Sequence, residues 1–310
     1  MTTPRAVPGH SGGVPAPGPS TRQAARQAAR WSARRSGPAG GGVRHTLGAS
    51  LRVAALRWGT FATAVAVWEL ATRSMNDSDF PPPSQIARSL HDLYLTGPAS
   101  HLFLNSEVGA DIVPSLVRML TGWLLAVVIG VAAGVALGRS ERAMDYLGPV
   151  VHFLRAIPPP ALLPVFLVLL TAGDSLQIGI IVFGAVWTVL LNSVEGARSV
   201  HRTQRETAEV FQVTRTRWIT RVVLPAAAPK IFAGLRLSLS LALVLMVVAE
   251  YTSSSNGIGY QMQNIQGLFD TPGSWAILVL LGIFGYVFNA ILMAAERRVL
   301  RWQVGRGSGL

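Results

Sequence analysis

The sequence contains no cysteine. Disulfides, thiol catalysis and cysteine-ligated zinc or iron–sulfur centres are therefore excluded, while the redox compartment stays open. Lysine is nearly absent too. Lys230 is the only one, and it stands between Pro229 and Ile231. A phosphate-cradling P-loop needs Gly-x-x-x-x-Gly-Lys-Ser/Thr, so the chain has no Walker A motif and is expected to hydrolyse no ATP itself. The six histidines (His10, His45, His91, His101, His152 and His201) are scattered without ligand spacing. Neither a metal site nor a catalytic nucleophile–base set can be argued from them.

Charge is scarce as well. Charged residues make up 14% of the 310, hydrophobic ones 50%, and the mean hydropathy is +0.40 although the first fifty residues are polar. These values point to a multi-spanning membrane protein rather than a soluble domain. The net charge of +12 would suggest nucleic acid for a soluble protein. In a membrane chain the basic residues must first be placed relative to the bilayer, and no nucleic-acid partner is expected.

Residues 1–50 are rich in Pro, Gly, Ser, Ala and Arg and lack an apolar face, so they read as a disordered basic tail. Within it Arg22, Arg26, Arg30 and Arg34 recur every fourth residue. A helix there would offer a basic stripe to anionic lipid headgroups; a solvated charged tail is the alternative. No apolar core followed by a cleavage site marks a signal peptide.

Six apolar segments follow, at about 53–72, 112–137, 147–171, 175–195, 231–252 and 274–295. Each approaches the roughly 20 residues a helix needs to cross the hydrocarbon core. The third contains Pro158, Pro159, Pro160 and Pro164, which break the hydrogen-bond ladder at membrane depth. With the N-terminus inside, twenty-two of the 27 Lys and Arg residues fall on the inner side and only Arg73 and Arg88 outside. Arg118, Arg155 and Arg236 lie within or beside spans. This asymmetry supports an even span number with both termini inside. In the first outer loop, Pro81 to Pro83 make a stiff extended lead-in and Ser84 is a plausible N-cap for a helix from Gln85. Ile86, Leu90, Leu93 and Tyr94 would share one face of it, as in an interfacial helix on the outer leaflet.

The inner loop 196–230 is long and charged. Glu206 opens a helical run with Ala208 and Phe211 on one side, and Gln212 to Thr216 form a break. Thr216 can cap a second short helix that carries Trp218 and Ile219, which Leu224-Pro225 ends. Two short helices with a turn make a protruding knob, and Phe211 and Trp218 exposed on it point to a protein partner. A hairpin packed only on its own spans is the alternative, and the residues leave both open. Glu250 closes an otherwise uncharged run near the outer end of the fifth span. It is a pathway or gate residue or a paired structural glutamate; Arg118 and Arg155 raise the same choice. The Gly257-x-Gly259 pair reads as a tight outer turn, because no strand precedes it.

The inner loop resembles the cytoplasmic signature of the inner-membrane permeases of ABC importers. There Glu-Ala-Ala is followed by three residues, Gly, and about a dozen residues to Leu-Pro. Here Glu206-Thr207-Ala208 stand for the triplet, Gln212 for the glycine, and Leu224-Pro225 for the end. FPPPSQIARSL, residues 115–140, the Pro-rich 154–175 and residues 224–260 are similar to the nitrate/sulfonate/taurine branch of that family. The resemblance covers about residues 60–302. It implies an all-α membrane protein of six transmembrane helices like the type I ABC importer permeases, N-in/C-in. Residues 51–302 would be the permease domain, 196–230 its coupling loop and 303–310 a short tail. It implies that Glu206, Thr207, Ala208, Phe211, Gln212, Trp218, Leu224 and Pro225 form a coupling loop to a separate ABC ATPase subunit, which holds the ATP. This chain itself would bind no cofactor. An extracytoplasmic substrate-binding protein, a second permease copy and the bilayer of the cell membrane would be the other partners. A permease of glycine-betaine or other organic-cation importers stays open, as does a non-transporting receptor, although a receptor has no need for such a loop. Gln at the family's glycine would cost about 1–2 kcal/mol if the turn is left-handed.

Overall fold

The computed structural model describes residues 42–75, 79–97, 105–170 and 173–301. The basic stripe at 22–34 and the tail at 303–310 lie outside the described residues. Among those described there is no strand. The chain divides between Val67 and Trp68 into two compact units. In the first, residues 42–67 belong to helix α1 (Gly42–Met75), whose early turns occupy positions that composition assigned to the tail. Its Trp58 and Phe61 meet edge to face, 6.4 Å between centroids.

The second unit begins with the end of α1 and continues through α2 (Pro83–Tyr94), α3 (Val113–Gly138), α4 (Glu141–Ala156), α5 (Leu163–Leu170) and α6 (Asp174–Arg198). Two short inner helices follow, α7 (Arg202–Val210) and α8 (Arg215–Trp218). The chain then runs through α9 (Leu224–Ser253), α10 (Ile258–Gly267) and α11 (Thr271–Val299). Among the described residues, four helical stretches are long and apolar enough to cross a membrane: Val108–Gly138, Asp174–Arg198, Arg215–Ser253 and Thr271–Val299. A fifth crossing is available if the bent pair α4–α5 counts as one span. The expected first span lies within α1 but is not among these four.

The core is built on close approach of α3 to α6. Gly122, Ala126, Gly130, Gly134 and Gly138 recur every fourth residue of α3 and form a stripe of small residues that winds slowly round the helix, along which α6 makes its approach. In lipid, association of helices depends on packing rather than on escape from water, so small residues at the contact are decisive. Gly134 shows the tolerance best: a Cβ there would stand 2.5 Å from both Leu190 O and Ser193 Cβ. On its other side α6 packs against α9, and Met119, Ile180, Ile181, Leu245, Met246 and Ala249 are buried together.

Proline sets the breaks. The third expected span is not one rod: α4 stops at Ala156, Pro159–Leu162 form a 3-10 turn, and α5 leaves at 86°. Three consecutive prolines remove successive N–H donors, so the ladder cannot run through. Leu224-Pro225 corrects the expectation in the opposite sense. It does not end the second inner helix but starts α9, reached from α8 through a π turn at Ile219–Val223. There Leu224 N–H donates to Ile219 O, five residues back, which widens the ladder where the Pro225 ring would clash. The same device precedes Pro114, where Val113 N–H donates to Val108 O.

Two expected caps also move. The second inner helix begins after Thr214, not Thr216. Helix α2 begins at Pro83 with Pro82 as its cap residue, because proline suits a first helical turn. Ser84 does not cap but is itself held: its N–H donates to Glu69 Oε2 at 3.0 Å and its hydroxyl to Oε1 at 2.7 Å. A carboxylate from α1 thus serves the N-terminus of α2. The apolar face of α2 buries Ile86 and Tyr94 and packs on α11, so this helix turns that face into the protein rather than toward the leaflet.

If helix approach sets stability, Gly134→Ala lowers it by about 1–3 kcal/mol, the range for overpacking. Gly282→Ala, inside α11 at a position with open space, instead raises it by up to about 1 kcal/mol through helix propensity. Thermal unfolding of the purified variants measures both, and equal shifts would contradict the packing account.

Candidate functional site

At the inner end, α7 and α8 form the knob. Helix α7 leaves an extended His201, whose carbonyl accepts from Gln204 and Arg205 N–H. Arg205 and Glu209 pair along its exposed side at 3.3 Å, and Thr207 Oγ1 donates to Thr203 O at 2.8 Å. The helix closes in a Schellman motif: Gln212 N–H donates to Glu209 O, and Val213 N–H to Ala208 O. Gln212 has φ +49°, so the position is left-handed and glutamine bears the strain that glycine would avoid. The cap presents Val210 and Phe211 almost bare, 80% and 76% exposed.

The structure separates residues that the sequence grouped. Phe211 projects into solvent, whereas Ala208 faces a cavity of 870 Å³ together with Arg139, Arg198, Arg205, Gln212 and Trp218. Trp218 is not an exposed anchor. It packs beside Val135, Ala197 and Val223 at the inner ends of α3 and α6. Leu224 and Pro225 belong to the base of α9. Lys230 pairs with Glu195 of α6, and Arg236 with Glu296 of α11, so the root of α9 is tied to two other helices.

The outer ends hold a second polar cluster. Glu250 is completely buried. Its Oε1 accepts from Arg118 Nη1 at 3.0 Å, and its Oε2 accepts from Ser115 Oγ at 2.7 Å and Gly259 N–H at 3.0 Å. Arg118, buried as well, also donates from Nε to Asp174 Oδ1 at 2.7 Å and from Nη2 to Asn256 Oδ1 at 2.7 Å. Asp111 Oδ1 accepts from Gly257 N–H, and Ser115 Oγ from Ile258 N–H. One guanidinium therefore joins α3, α6, α9 and the turn before α10. The glycines gain a meaning that a tight turn did not require. Gly257 has φ +110°, and a Cβ on it would stand 2.5 Å from Glu250 Oε2. Arg155 takes no part: it is exposed at the end of α4. Among the described residues no three His, Cys, Asp or Glu are grouped to hold a metal.

Sequence reading singled out Arg118 and Glu250 but missed Ser115, Asp174 and Asn256, and did not see the pair itself. A lone glutamate ending an apolar run, with Gly-x-Gly seven residues on, was the available signal.

Removing one partner of a buried pair strands the other charge. Glu250→Leu should therefore cost about 3–5 kcal/mol, and the double variant Arg118→Met/Glu250→Leu less than the sum of the singles. Additive losses in denaturation would show that the two groups do not depend on each other. Gln212→Gly should stabilise the knob by about 0.5–1 kcal/mol, the left-handed strain less the entropy glycine brings to the unfolded chain. Slower hydrogen exchange at the Val213 amide is the readout; unchanged exchange would mean that the position is unstrained.

Residues 126–301 match the family described as binding-protein-dependent transport system inner membrane component. The chain is similar to the putative aliphatic sulfonates transport permease protein SsuC of Bacillus subtilis (strain 168), 30% identical over 244 residues, which cover 78% of this chain and 85% of that one. It is also similar to the taurine transport system permease protein TauC of Escherichia coli (strain K12), 28% identical over 253 residues, 81% of this chain and 90% of the relative. In fold it is similar to a chain of the inward-facing MetNI methionine ABC transporter. The TM-score is 0.54 at 18% identity, covering 62% of this chain and 93% of that one. Matched over more than half its length, the chain belongs to the binding-protein-dependent inner-membrane transport components, as a permease subunit of an ABC importer.

Proposed function

We propose that the chain works as one of two permease copies around a translocation pathway. A separate ATPase subunit, which binds the ATP, drives it from inside, and an extracytoplasmic binding protein feeds it from outside. The cargo is a small anion-bearing solute of the sulfonate, taurine or nitrate kind, all three named by relatives of this chain. The observation that supports coupling is the shape of the knob. A helix carrying Glu206-Thr207-Ala208 ends in a rigid cap that holds Val210 and Phe211 out in solvent. Large apolar side chains on a stiff cap are the kind of anchor that a protein cleft takes up. Trp218 and Leu224-Pro225 serve this contact from behind, by fixing the knob to the spans.

In this reading Arg118 and Glu250 engage each other rather than the cargo and hold the outer ends in register. Arg155, exposed beside the proline bend, is the candidate left to meet an anion in the pathway.

Phe211→Asp should weaken assembly with the ATPase by about thirtyfold, the effect of losing an interface hot spot of about 2 kcal/mol. Glu206→Lys should uncouple ATP hydrolysis from uptake. Both are measured in proteoliposomes that contain the ATPase and binding protein, with taurine, an alkanesulfonate and nitrate as cargo. Normal assembly and normal uptake in both variants would refute the coupling role. Uptake of none of the three by the unaltered complex would refute the substrate class alone.

A further inference from the structure

The outer surface carries a feature that the transport reading does not use. Helix α10 ends at Gly267, and the next two residues, Leu268 and Phe269, are 79% and 92% exposed. They are not a loose loop. Phe269 N–H donates to Gln266 O and Asp270 N–H to Ile265 O, both at 3.1 Å. This is a Schellman cap, with Phe269 in the left-handed position at φ +58°. Asp270 then caps α11 by accepting from Gly273 N–H at 3.0 Å. The tip is thus clamped between two helices, and an aromatic side chain is held outward in a conformation that favours glycine.

Its depth can be read from its neighbours. Tyr251, in the last turn of α9, donates its hydroxyl to Gln266 Oε1 at 2.9 Å, so the end of α10 lies level with the outer end of that span. On the other side Trp275 meets Trp68 and Phe80, with centroids 5.7 and 6.2 Å away, and donates its indole N–H to Asp79 O. Tyr and Trp gather where hydrocarbon gives way to headgroups. Phe269 stands two residues before the first turn of α11, on the outer side of Trp275, which sets it toward the headgroups rather than within the hydrocarbon. Charge separates a lipid from a protein occupant. Between Arg236 and Arg297 there is no Lys or Arg, and the one carboxylate beside the tip, Asp270, is turned toward its own helix by the bond from Gly273 N–H, so the tip presents no basic group and no ion-pair network to a soluble partner. The water-facing side of α10 is different in kind, with Gln263, Asn264 and Gln266 exposed.

We propose that Leu268 and Phe269 are a wedge seated in the outer leaflet, among the lipid headgroups and the first carbons of the acyl chains. Through α10 the wedge joins the bilayer to the turn at Gly257–Gly259, and so to the Arg118–Glu250 cluster. This inference is independent of the cargo and of the ATPase.

The absence of cysteine makes the test direct. Phe269→Cys, Leu268→Cys and Gln263→Cys variants of the full chain, each labelled with a bimane fluorophore, are placed in phosphatidylcholine nanodiscs. Quenching is compared between a headgroup nitroxide lipid and aqueous iodide, with and without an excess of the importer's binding protein. Labels at 268 and 269 should be quenched by the nitroxide about threefold more than the label at 263, as expected for interfacial against aqueous side chains. Iodide should reach 263 only, and the binding protein should change nothing at 268 or 269. Iodide quenching at 268 and 269 would overturn the proposal. So would protection by the binding protein, which would assign the tip to a protein interface instead. Leu268→Cys keeps the test decisive if the left-handed position tolerates no label.

Discussion

One buried contact, Arg118 with Glu250, sets the outer architecture of this protein. A completely buried carboxylate at membrane depth is tenable only when opposite charge and hydrogen-bond donors surround it. Glu250 obtains both from three directions: a guanidinium and a hydroxyl from α3, and a backbone N–H from the start of α10. That demand explains features which otherwise look unrelated. Two glycines occur within ten residues of Glu250 because the backbone must reach its carboxylate without a Cβ in the way. Ser115 lies in an apolar span because its oxygen donates to Glu250 and accepts from Ile258. Asp174 begins α6 where Arg118 can bind it from the wet side.

The middle of the bundle depends on a different kind of fit. Between α3 and α6 there is little polar chemistry, only small residues every fourth position facing Ile181, Val189, Ser193 and Ala197. Dispersion at that range is lost quickly with separation, so the two helices are held as one body along their length. The bent pair α4–α5 is built the other way. It presents many exposed apolar side chains, among them Tyr146, Phe153 and Val168, and its direction is set by prolines rather than by packing.

Legibility followed the same division. Helical apolar runs are readable because periodicity and length are local properties, and the spans at 175–195 and 274–295 lie within α6 and α11. The family resemblance rested on ordered motifs and is confirmed by the match over 126–301. What the chain did not disclose were outcomes that depend on partners distant in sequence. Ser84 looks like a cap until Glu69 is seen to hold it. Trp218 looks like an exposed anchor until the ends of α3 and α6 are seen beside it. Glu250 and Arg118 are 132 residues apart, and no spacing rule joins them. Leu224-Pro225 misled for a local reason: proline marks both the end of one helix and the start of the next, and only the π turn before it shows which.

That last correction changes how the molecule works as a mechanical object. If Leu224-Pro225 ended a helix, the knob would hang from the spans by a joint. Instead Arg215 to Ser253 is one helical stretch of 39 residues, about 58 Å long at helical rise. Its inner end is the second half of the knob, and its outer end carries Glu250. Between them the rod is tied by Lys230 to Glu195 and by Arg236 to Glu296, and its buried face packs chiefly on α6, with α3, α10 and α11 beside it. The π turn at Ile219–Val223 and Pro225 and Pro229 lie at its inner end, and these are recognised causes of helix bending. Under the proposed coupling, a displacement of the knob is either absorbed at the root of α9 or carried along the rod to the Arg118 cluster. Since α6 and α3 share that cluster and are locked to each other, the second route moves three spans and α10 together. A subunit assembled this way transmits force as a body and bends where its prolines are.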